Sequence, residues 1–508
     1  MSISLLLEMA ASSNPDRTAV VSGETRLTTQ QLSDLADGGA AVIAESGAQH
    51  VAYVGVGGAM LPVLAFAAAR AGLPFTPLNY RLSAEGIQAL IERLPEPLVI
   101  VDGRYKDMLG DSSKRVMDSD DFLTAARRAE AAAEGLAFPD PESVAIVLFT
   151  SGTTSQPKAV ELSHNNLTSY VTGTVEFDSA AEQDAALICV PPYHIAGVGA
   201  ALSNLYAGRK MVYLPNFDAG EWVRLIGAEQ VTTATLVPTM LDRVVAVLET
   251  GDETSRDLTS LRNLAYGGSK VGLPLVRRAL ELLPEVGFVN AYGLTETSST
   301  IAVLTPDDHR AAQSASEAAA IRRLGSVGRP VPGIEIEIRD DEGNVLPAGE
   351  TGELFVRGDQ VSGRYTGIGS VLDENGWFPT KDIAMLDDEG YLFIGGRSDD
   401  TIIRGGENIA PAELEEVLVE HPHVRDVAVV GVEDPQWGQA IVAVVVPRPG
   451  VDPDPEELRD HVRKALRGSR TPDRVVFRDE LPTTPTGKVL RREIIGDLEG
   501  LQAAPAEQ

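Results

Sequence analysis

This chain has little cysteine, lysine or aromatic residue, and no long hydrophobic run. Cys189 is its one cysteine. No internal disulfide can form, which fits a reducing compartment such as the cytoplasm. Cys189 lies in the apolar run Ala186-Leu187-Ile188-Cys189-Val190 and reads as a buried core thiol. No Cys/His cluster has zinc-ligand spacing. No apolar stretch approaches the roughly 18 residues of a spanning helix. The amino terminus, Met1-Ser2-Ile3-Ser4-Leu5-Leu6-Leu7-Glu8, lacks the basic start of a signal peptide. Basic residues are also in deficit, 43 Lys and Arg against 74 Asp and Glu, for a formal net charge of -31. That balance argues against nucleic acid as a partner. Because arginine supplies most of the positive charge, a lysine inside a loop of special composition carries extra weight.

The 508 residues exceed what one core supports, so two or three domains are expected. From about residue 140 to 305, short β-branched runs alternate with amphipathic stretches, as in sheets covered by helices. After about 325 the runs become strands separated by turns, a β-rich subdomain. Beyond Arg397 helices and strands mix again. The expected fold is α/β: a large N-terminal domain of helix-covered β-sheets with a β-rich subdomain (1–397), a linker (398–400), and a small α+β C-terminal domain (401–508). The stretch Ala125–Glu134 reads as a solvated helix.

The strongest local signal is Phe149-Thr150-Ser151-Gly152-Thr153-Thr154-Ser155-Gln156-Pro157-Lys158. Hydroxyls and backbone N–H groups after a strand can wrap a polyphosphate, and a lysine adds a point charge. It is not a Walker loop, because Pro157 precedes the lysine and Ala159 follows it. The run Val54-Gly55-Val56-Gly57-Gly58 lacks the third glycine of a dinucleotide loop and reads as a tight turn.

Further motifs stand in order along the chain. They are Asn290-Ala291-Tyr292-Gly293-Leu294-Thr295-Glu296-Thr297, Trp377-Phe378-Pro379-Thr380-Lys381-Asp382, Gly396-Arg397-Ser398-Asp399-Asp400, Gly405-Gly406-Glu407-Asn408 and Pro485-Thr486-Gly487-Lys488. Together with the phosphate loop they resemble the adenylate-forming (ANL) superfamily, in its acyl-CoA synthetase (acid–CoA ligase) branch. The resemblance implies that a carboxylic acid is joined to AMP, pyrophosphate leaves, and coenzyme A takes the acyl group. ATP, Mg²⁺ and coenzyme A are the implied cofactors and co-substrates.

The same resemblance implies roles. Lys488 would bridge the substrate carboxylate and the α-phosphate, Thr295 would contact that phosphate, and Glu296 would hold Mg²⁺. Thr150, Ser151, Gly152, Thr153, Thr154 and Lys158 would cradle the phosphates. Gly267, Gly268, Ser269, Asn290, Ala291, Tyr292 and Gly293 would surround adenine. Asp382 and Arg397 would bind the ribose, and Asp399 would be the hinge for two closed domain arrangements. Gly405 and Gly406 would wall the pantetheine tunnel. The acid pocket would use Tyr193, His194, Ile195, Gly197, Gly199, Gly267, Ala291 and Leu294, with His194 orienting the carboxylate. With no acidic or basic specificity residue evident, small and apolar walls point to a medium fatty, aryl or alicyclic acid. The family more often has glycine where Ser155, Ala159 and Lys381 stand, and Lys381 reads as facing solvent.

Other readings are an adenylating enzyme that releases its adenylate or serves a carrier protein or partner ligase in trans, a regulator on an inactive scaffold, and a luciferase-like oxidase. The sequence specifies neither monomer nor homodimer.

Overall fold

The computed structural model describes residues 1–110, 115–129, 139–150, 157–250, 257–404, 407–466, 470–484 and 487–503. The chain is mixed α/β, with a large N-terminal domain of sheets and helices and a small C-terminal domain with its own sheet. Two large sheets dominate the N-terminal part. One has nine strands with a parallel centre, where Lys210–Tyr213, Ala185–Ile188, Thr233–Leu236, Asn263–Gly267 and Gly287–Leu294 run side by side. The other has eight strands, including His50–Val54, Phe75–Leu78 and Pro97–Val101 in parallel and the hairpin Val144–Thr150/Lys158–Ser163.

One continuous core contains residues of both sheets, such as Val212 and Leu264 of the first and Phe75 and Ile146 of the second. The helix Met60–Arg70 lies in that core, buried along almost its whole length. Its sequence, apolar on every side, could not face water on any flank. Local signals agree with these elements. Thr28 with Gln31, and Ser163 with Asn166, form reciprocal caps at two helix starts, while Gly47 and Gly208 end helices in the left-handed conformation.

A third sheet is antiparallel: Glu335–Arg339, Thr351–Arg357, Phe378–Leu386 and Leu392–Arg397. Its last strand ends at Arg397, and Ser398–Asp400 form a single 3-10 turn before the strand Ile402–Arg404. The C-terminal sheet comprises Val424–Asp434, Gly438–Pro447 and Arg474–Phe477. In the strand Val424–Asp434, Val427 and Val429 enter one apolar cluster while Ala428, Val430 and Val432 enter another. Helices cover both faces, which explains the unbroken apolar run there.

Several expectations shift. The strand Gly287–Leu294 runs through the first part of the motif that begins at Asn290. The helix expected at Ala125–Glu134 is Ser119–Arg128, and 130–138 lie outside the described residues. Lys381 is exposed, as expected, yet it is not without contacts. It pairs with Glu353 at 3.3 Å and adopts φ +65°, a left-handed conformation that glycine takes without steric penalty. Among the described residues no helix is long and apolar enough to cross a membrane.

Candidate active site

The adenine-type motif occupies the end of the strand Gly287–Leu294 and the 3-10 turn Thr295–Thr297. The chain then doubles back as the strand Ser299–Leu304. A Cβ on Gly293 would lie 1.8 Å from the Ser299 carbonyl oxygen, so only glycine fits that reversal. Ser298 and Ser299 take φ values of 55° and 113°. Such backbone strain concentrates where a fold holds functional groups in place. Thr295 and Glu296 sit at this bend.

Glu296 gathers the second motif to the first. Its Oε1 accepts from the Tyr365 hydroxyl at 2.8 Å, and its backbone oxygen accepts from Ser362 N–H at 2.8 Å. Lys158 stands 5.5 Å over the Tyr365 ring. Burial, then the Glu296 charge, pushes the Tyr365 hydroxyl upward, which keeps it a donor. Lys158 also pairs opposite Thr150 across the hairpin that carries the phosphate loop. Ser151, Gly152, Thr153, Thr154 and Ser155 lie outside the described residues. Among the described residues Glu296 has no ion pair, leaving its charge available to a hard cation.

The ribose-type pair follows from sheet register. Asp382 and Arg397 are direct cross-strand partners, joined Oδ1 to Nη1 at 3.2 Å. The other Asp382 oxygen accepts from the Tyr292 hydroxyl. Burial raises the Asp382 carboxyl above its usual range; Arg397, Tyr292 and the ammonium of Lys488 oppose that rise. Lys488 of the C-terminal domain therefore acts on the buried carboxylate of the N-terminal domain. Lys488 N–H donates to Thr484 Oγ1 at 3.0 Å and Thr484 N–H to the Lys488 carbonyl at 2.8 Å; 485 and 486 lie outside the described residues. Gly487, at φ +78°, sits against Thr239 of the N-terminal domain, where a Cβ would be 2.9 Å from Cγ2. Lys270, next to the Gly267-Gly268-Ser269 turn, pairs with Glu416 across the same boundary.

At the adenine-type turn, Gly268 has φ +84° and the Ser269 hydroxyl is buried without a partner. Asn290 Nδ2 donates to the Ser326 carbonyl at 3.1 Å, so one of its donors is already engaged. At the expected acid pocket, His194 Nε2 and the Tyr193 hydroxyl are buried without partners. Burial, helped by Arg81, lowers the His194 pKa to about 4. Its ring is neutral at pH 7, packed 4.6 Å from Tyr193.

The small residues there are partly used by packing. A Cβ on Gly197 would meet the Pro191 carbonyl at 2.6 Å, one on Gly199 the Tyr170 ring at 3.2 Å, and one on Gly267 the Ala291 carbonyl at 2.1 Å. Their size alone does not measure room for a substrate. Ile195 and Leu294 are half-buried beside these positions.

The family model for AMP-binding enzymes matches residues 7–366, and the one for the AMP-binding enzyme C-terminal domain matches 413–488. The chain is 33% identical to indoleacetate–CoA ligase of Aromatoleum aromaticum, over 97% of this chain and 98% of that protein. This chain belongs to the AMP-binding enzyme family. It is also 32% identical to a fatty acid–[acyl-carrier-protein] ligase, ScoC, of Streptomyces coeruleorubidus, over 95% and 94% of the two chains. Among solved structures, o-succinylbenzoate CoA synthetase of Bacillus subtilis in complex with its acyl-adenylate intermediate superposes with a TM-score of 0.82. The identity there is 28%, over 96% of this chain and 97% of that one.

Several residues of this AMP-binding enzyme join the site only in three dimensions. Tyr365 has no motif of its own; its aromatic ring two residues after Gly363 was the only available signal. Arg81 is a basic residue whose charge reaches both Tyr193 and His194, although no such residue stands out in the sequence. Tyr80 packs 5.5 Å from Tyr193. Arg491, three positions beyond Lys488, binds Glu415 at 2.6 Å and approaches Asp400 at 3.4 Å, tying the lysine loop to the turn that holds the exposed Asp399. Gly405 and Gly406 lie outside the described residues.

Proposed function

We propose that this AMP-binding enzyme joins an aromatic or other hydrophobic carboxylic acid to AMP and then transfers the acyl group to coenzyme A. It is an AMP-forming acid–CoA ligase that uses ATP, Mg²⁺ and coenzyme A. The observation that carries the reading is that the Lys488 charge reaches buried Asp382, the partner of Arg397, while neighbouring Gly487 is seated on Thr239. In the first half-reaction an acid oxygen attacks the α-phosphorus and the bond to pyrophosphate breaks. An ammonium at that point offsets the charge of two approaching anions. In the second, the thiol sulfur attacks the acyl carbon and AMP leaves.

Each residue has a role in this reading. Lys488 is the catalytic cation, and Thr295 contacts the α-phosphate. Thr150, Lys158 and the hydroxyl-rich stretch Ser151-Gly152-Thr153-Thr154 hold the β- and γ-phosphates. Asp382 and Arg397 grip the ribose. Tyr292, Asn290, Ala291, Gly293, Gly268 and Ser269 surround adenine. Glu296, held by Tyr365, carries Mg²⁺, which supplies positive charge to the phosphates. Neutral His194 offers hydrogen bonding to the acid carboxyl, with Arg81 adding positive potential behind it. Asp399 is the hinge between domains 1–397 and 401–508, and Gly405 and Gly406 line the thiol passage in a second closed arrangement. The aromatic wall of Tyr80, Tyr193 and His194 suits an aryl acid. The names of the indoleacetate and o-succinylbenzoate ligases point the same way.

A carrier protein as acceptor in trans is the second reading, favoured by the resemblance to the acyl-carrier-protein ligase. A cytoplasmic setting fits the free, buried thiol of Cys189. The test is a panel of acids with ATP and Mg²⁺, with and without coenzyme A, reading pyrophosphate and thioester separately. Aryl acids should release pyrophosphate and form thioester with coenzyme A. Activity with amino acids alone would overturn the substrate class, and pyrophosphate without thioester would overturn the acceptor.

A further inference from the structure

Three of the seven histidines of the chain meet on the C-terminal domain, away from every motif described above. His421 and His423 stand in the turn between the helix Pro411–Val419 and the strand Val424–Asp434. Glu457 and His461 lie one turn apart on the helix Pro455–Ala465. Core residues flank them in sequence: Leu418, Val424, Leu458 and Val462 all belong to one apolar cluster. Both backbone segments are therefore fixed, and the polar groups they carry face one another.

The contacts between these groups are poor as ion pairs. Glu457 Oε1 is 3.5 Å from His421 Nε2, and its Oε2 is 3.8 Å from His423 Nδ1. These separations are at or beyond hydrogen-bond reach. His423 Nδ1 is buried with no hydrogen-bond partner. Burial holds the His421 pKa down against the opposing pull of Glu457.

As ligands the same groups are well disposed. The three donor atoms all lie within 4.8 Å of one another. A tetrahedral zinc ion with bonds of about 2.0–2.1 Å places its ligands roughly 3.3 Å apart, so a small inward movement closes the set. The His461 ring packs edge-on at 5.1 Å from His421, and its Nε2–H donates to the Val417 carbonyl at 3.0 Å. It supports the His421 ring without being a ligand. Binding through His421 Nε2 moves that ring's proton to Nδ1 and gives up a long 3.3 Å contact from His423 N–H.

We propose that His421, His423 and Glu457 bind a divalent ion of the zinc class, with water in the fourth position, stapling the start of the helix Pro455–Ala465 to the turn before the strand Val424–Asp434. Two imidazoles and one carboxylate select zinc or its neighbours over Mg²⁺, which prefers an all-oxygen shell. The site is distinct from Glu296 and would brace the domain that carries Lys488.

The test is Zn²⁺ titration of metal-stripped full-length protein, read by calorimetry and by Tm, without ATP. The wild type should bind one Zn²⁺ tightly and gain Tm, while Mg²⁺ should not raise it. His423→Ala and Glu457→Gln, both at partly exposed side chains, should weaken Zn²⁺ binding by more than about 100-fold, since losing even an outer-sphere partner costs 10- to 100-fold. Their metal-free Tm reports whether they fold. Glu296→Gln should keep the zinc response. No Zn²⁺ binding by the wild type, unchanged binding in both variants, or loss of binding in Glu296→Gln would each overturn the proposal.

Discussion

Gly487→Ala isolates the docking of the lysine loop from the chemistry of the lysine. The new Cβ would stand 2.9 Å from Thr239 Cγ2 and 3.2 Å from its Oγ1. Real Cβ atoms do not approach that closely, so the loop must lift or Thr239 must move. Overpacking of this kind costs about 1–3 kcal/mol, a factor of about 5 to 150 in the population of the docked arrangement. The φ of +78° at Gly487 adds about 1–2 kcal/mol for any residue with a Cβ. That second penalty stays inside the loop and is the same wherever the domain sits. It lowers stability but does not change the partition between arrangements. Only the contact with Thr239 belongs to the docked state.

Pyrophosphate release should therefore fall by about 5- to 150-fold, while thioester formation from supplied acyl-adenylate should change far less. Adding Thr239→Ala removes Cγ2 and Oγ1 and should restore much of the lost adenylation. The assays are ATP–pyrophosphate exchange and single-turnover thioester formation, across the double-mutant cycle. Equal loss of both half-reactions, or no rescue by Thr239→Ala, would refute the reasoning.

Lys488→Ala should lower pyrophosphate release by about 100- to 1,000-fold, with near-normal ATP binding by calorimetry; exchange at the wild-type rate would remove the proposed catalytic cation. Tyr365→Phe keeps the ring beneath Lys158 but deletes the donor to Glu296. A hydrogen bond to a charged group is worth about 1.5–3 kcal/mol, so adenylation should drop about 10- to 100-fold, with a higher Mg²⁺ requirement in a metal titration. His50, His164 and His194 are each held by burial at about 4 in the folded state, against about 6.5 unfolded. Their contribution is complete above the unfolded value and is lost as pH falls from 6.5 towards 4, by up to about 1.4 kcal/mol per pH unit for each histidine. Urea midpoints should therefore decline between pH 7 and pH 5; a flat profile would contradict this.

Much of the site was legible because its chemistry is concentrated in short stretches of unusual composition. Thr295 and Glu296 are adjacent in sequence, and a hydroxyl-rich stretch ending in a rare lysine is the composition expected of a polyphosphate cradle. Asp382 and Arg397 were each visible as motif residues, but their pairing was not. It depends on which residues face each other across two strands, a register set by the bulge between Ile383 and Ala384 and by side-chain burial. The glycines near the expected acid pocket are less legible. Gly197 and Gly199 read as space for substrate, but a Cβ at Gly197 would press on the Pro191 carbonyl and one at Gly199 would lie tight against the Tyr170 ring, so packing alone also accounts for their size.

Short motifs by themselves carried the resemblance to the family, and local composition carried the alternation of helices and strands and the charged groups proposed for the chemistry, because those properties need only a few consecutive residues. The tertiary structure decided that Tyr365 reaches Glu296, that the Arg81 charge reaches His194, that Gly487 of the Lys488 loop rests on Thr239, and that His421 and His423 meet Glu457. Each of these contacts joins residues dozens to hundreds of positions apart. Proximity of that kind arises from packing two sheets, a helix layer and a separate domain around their apolar cores, and no short stretch of sequence encodes it.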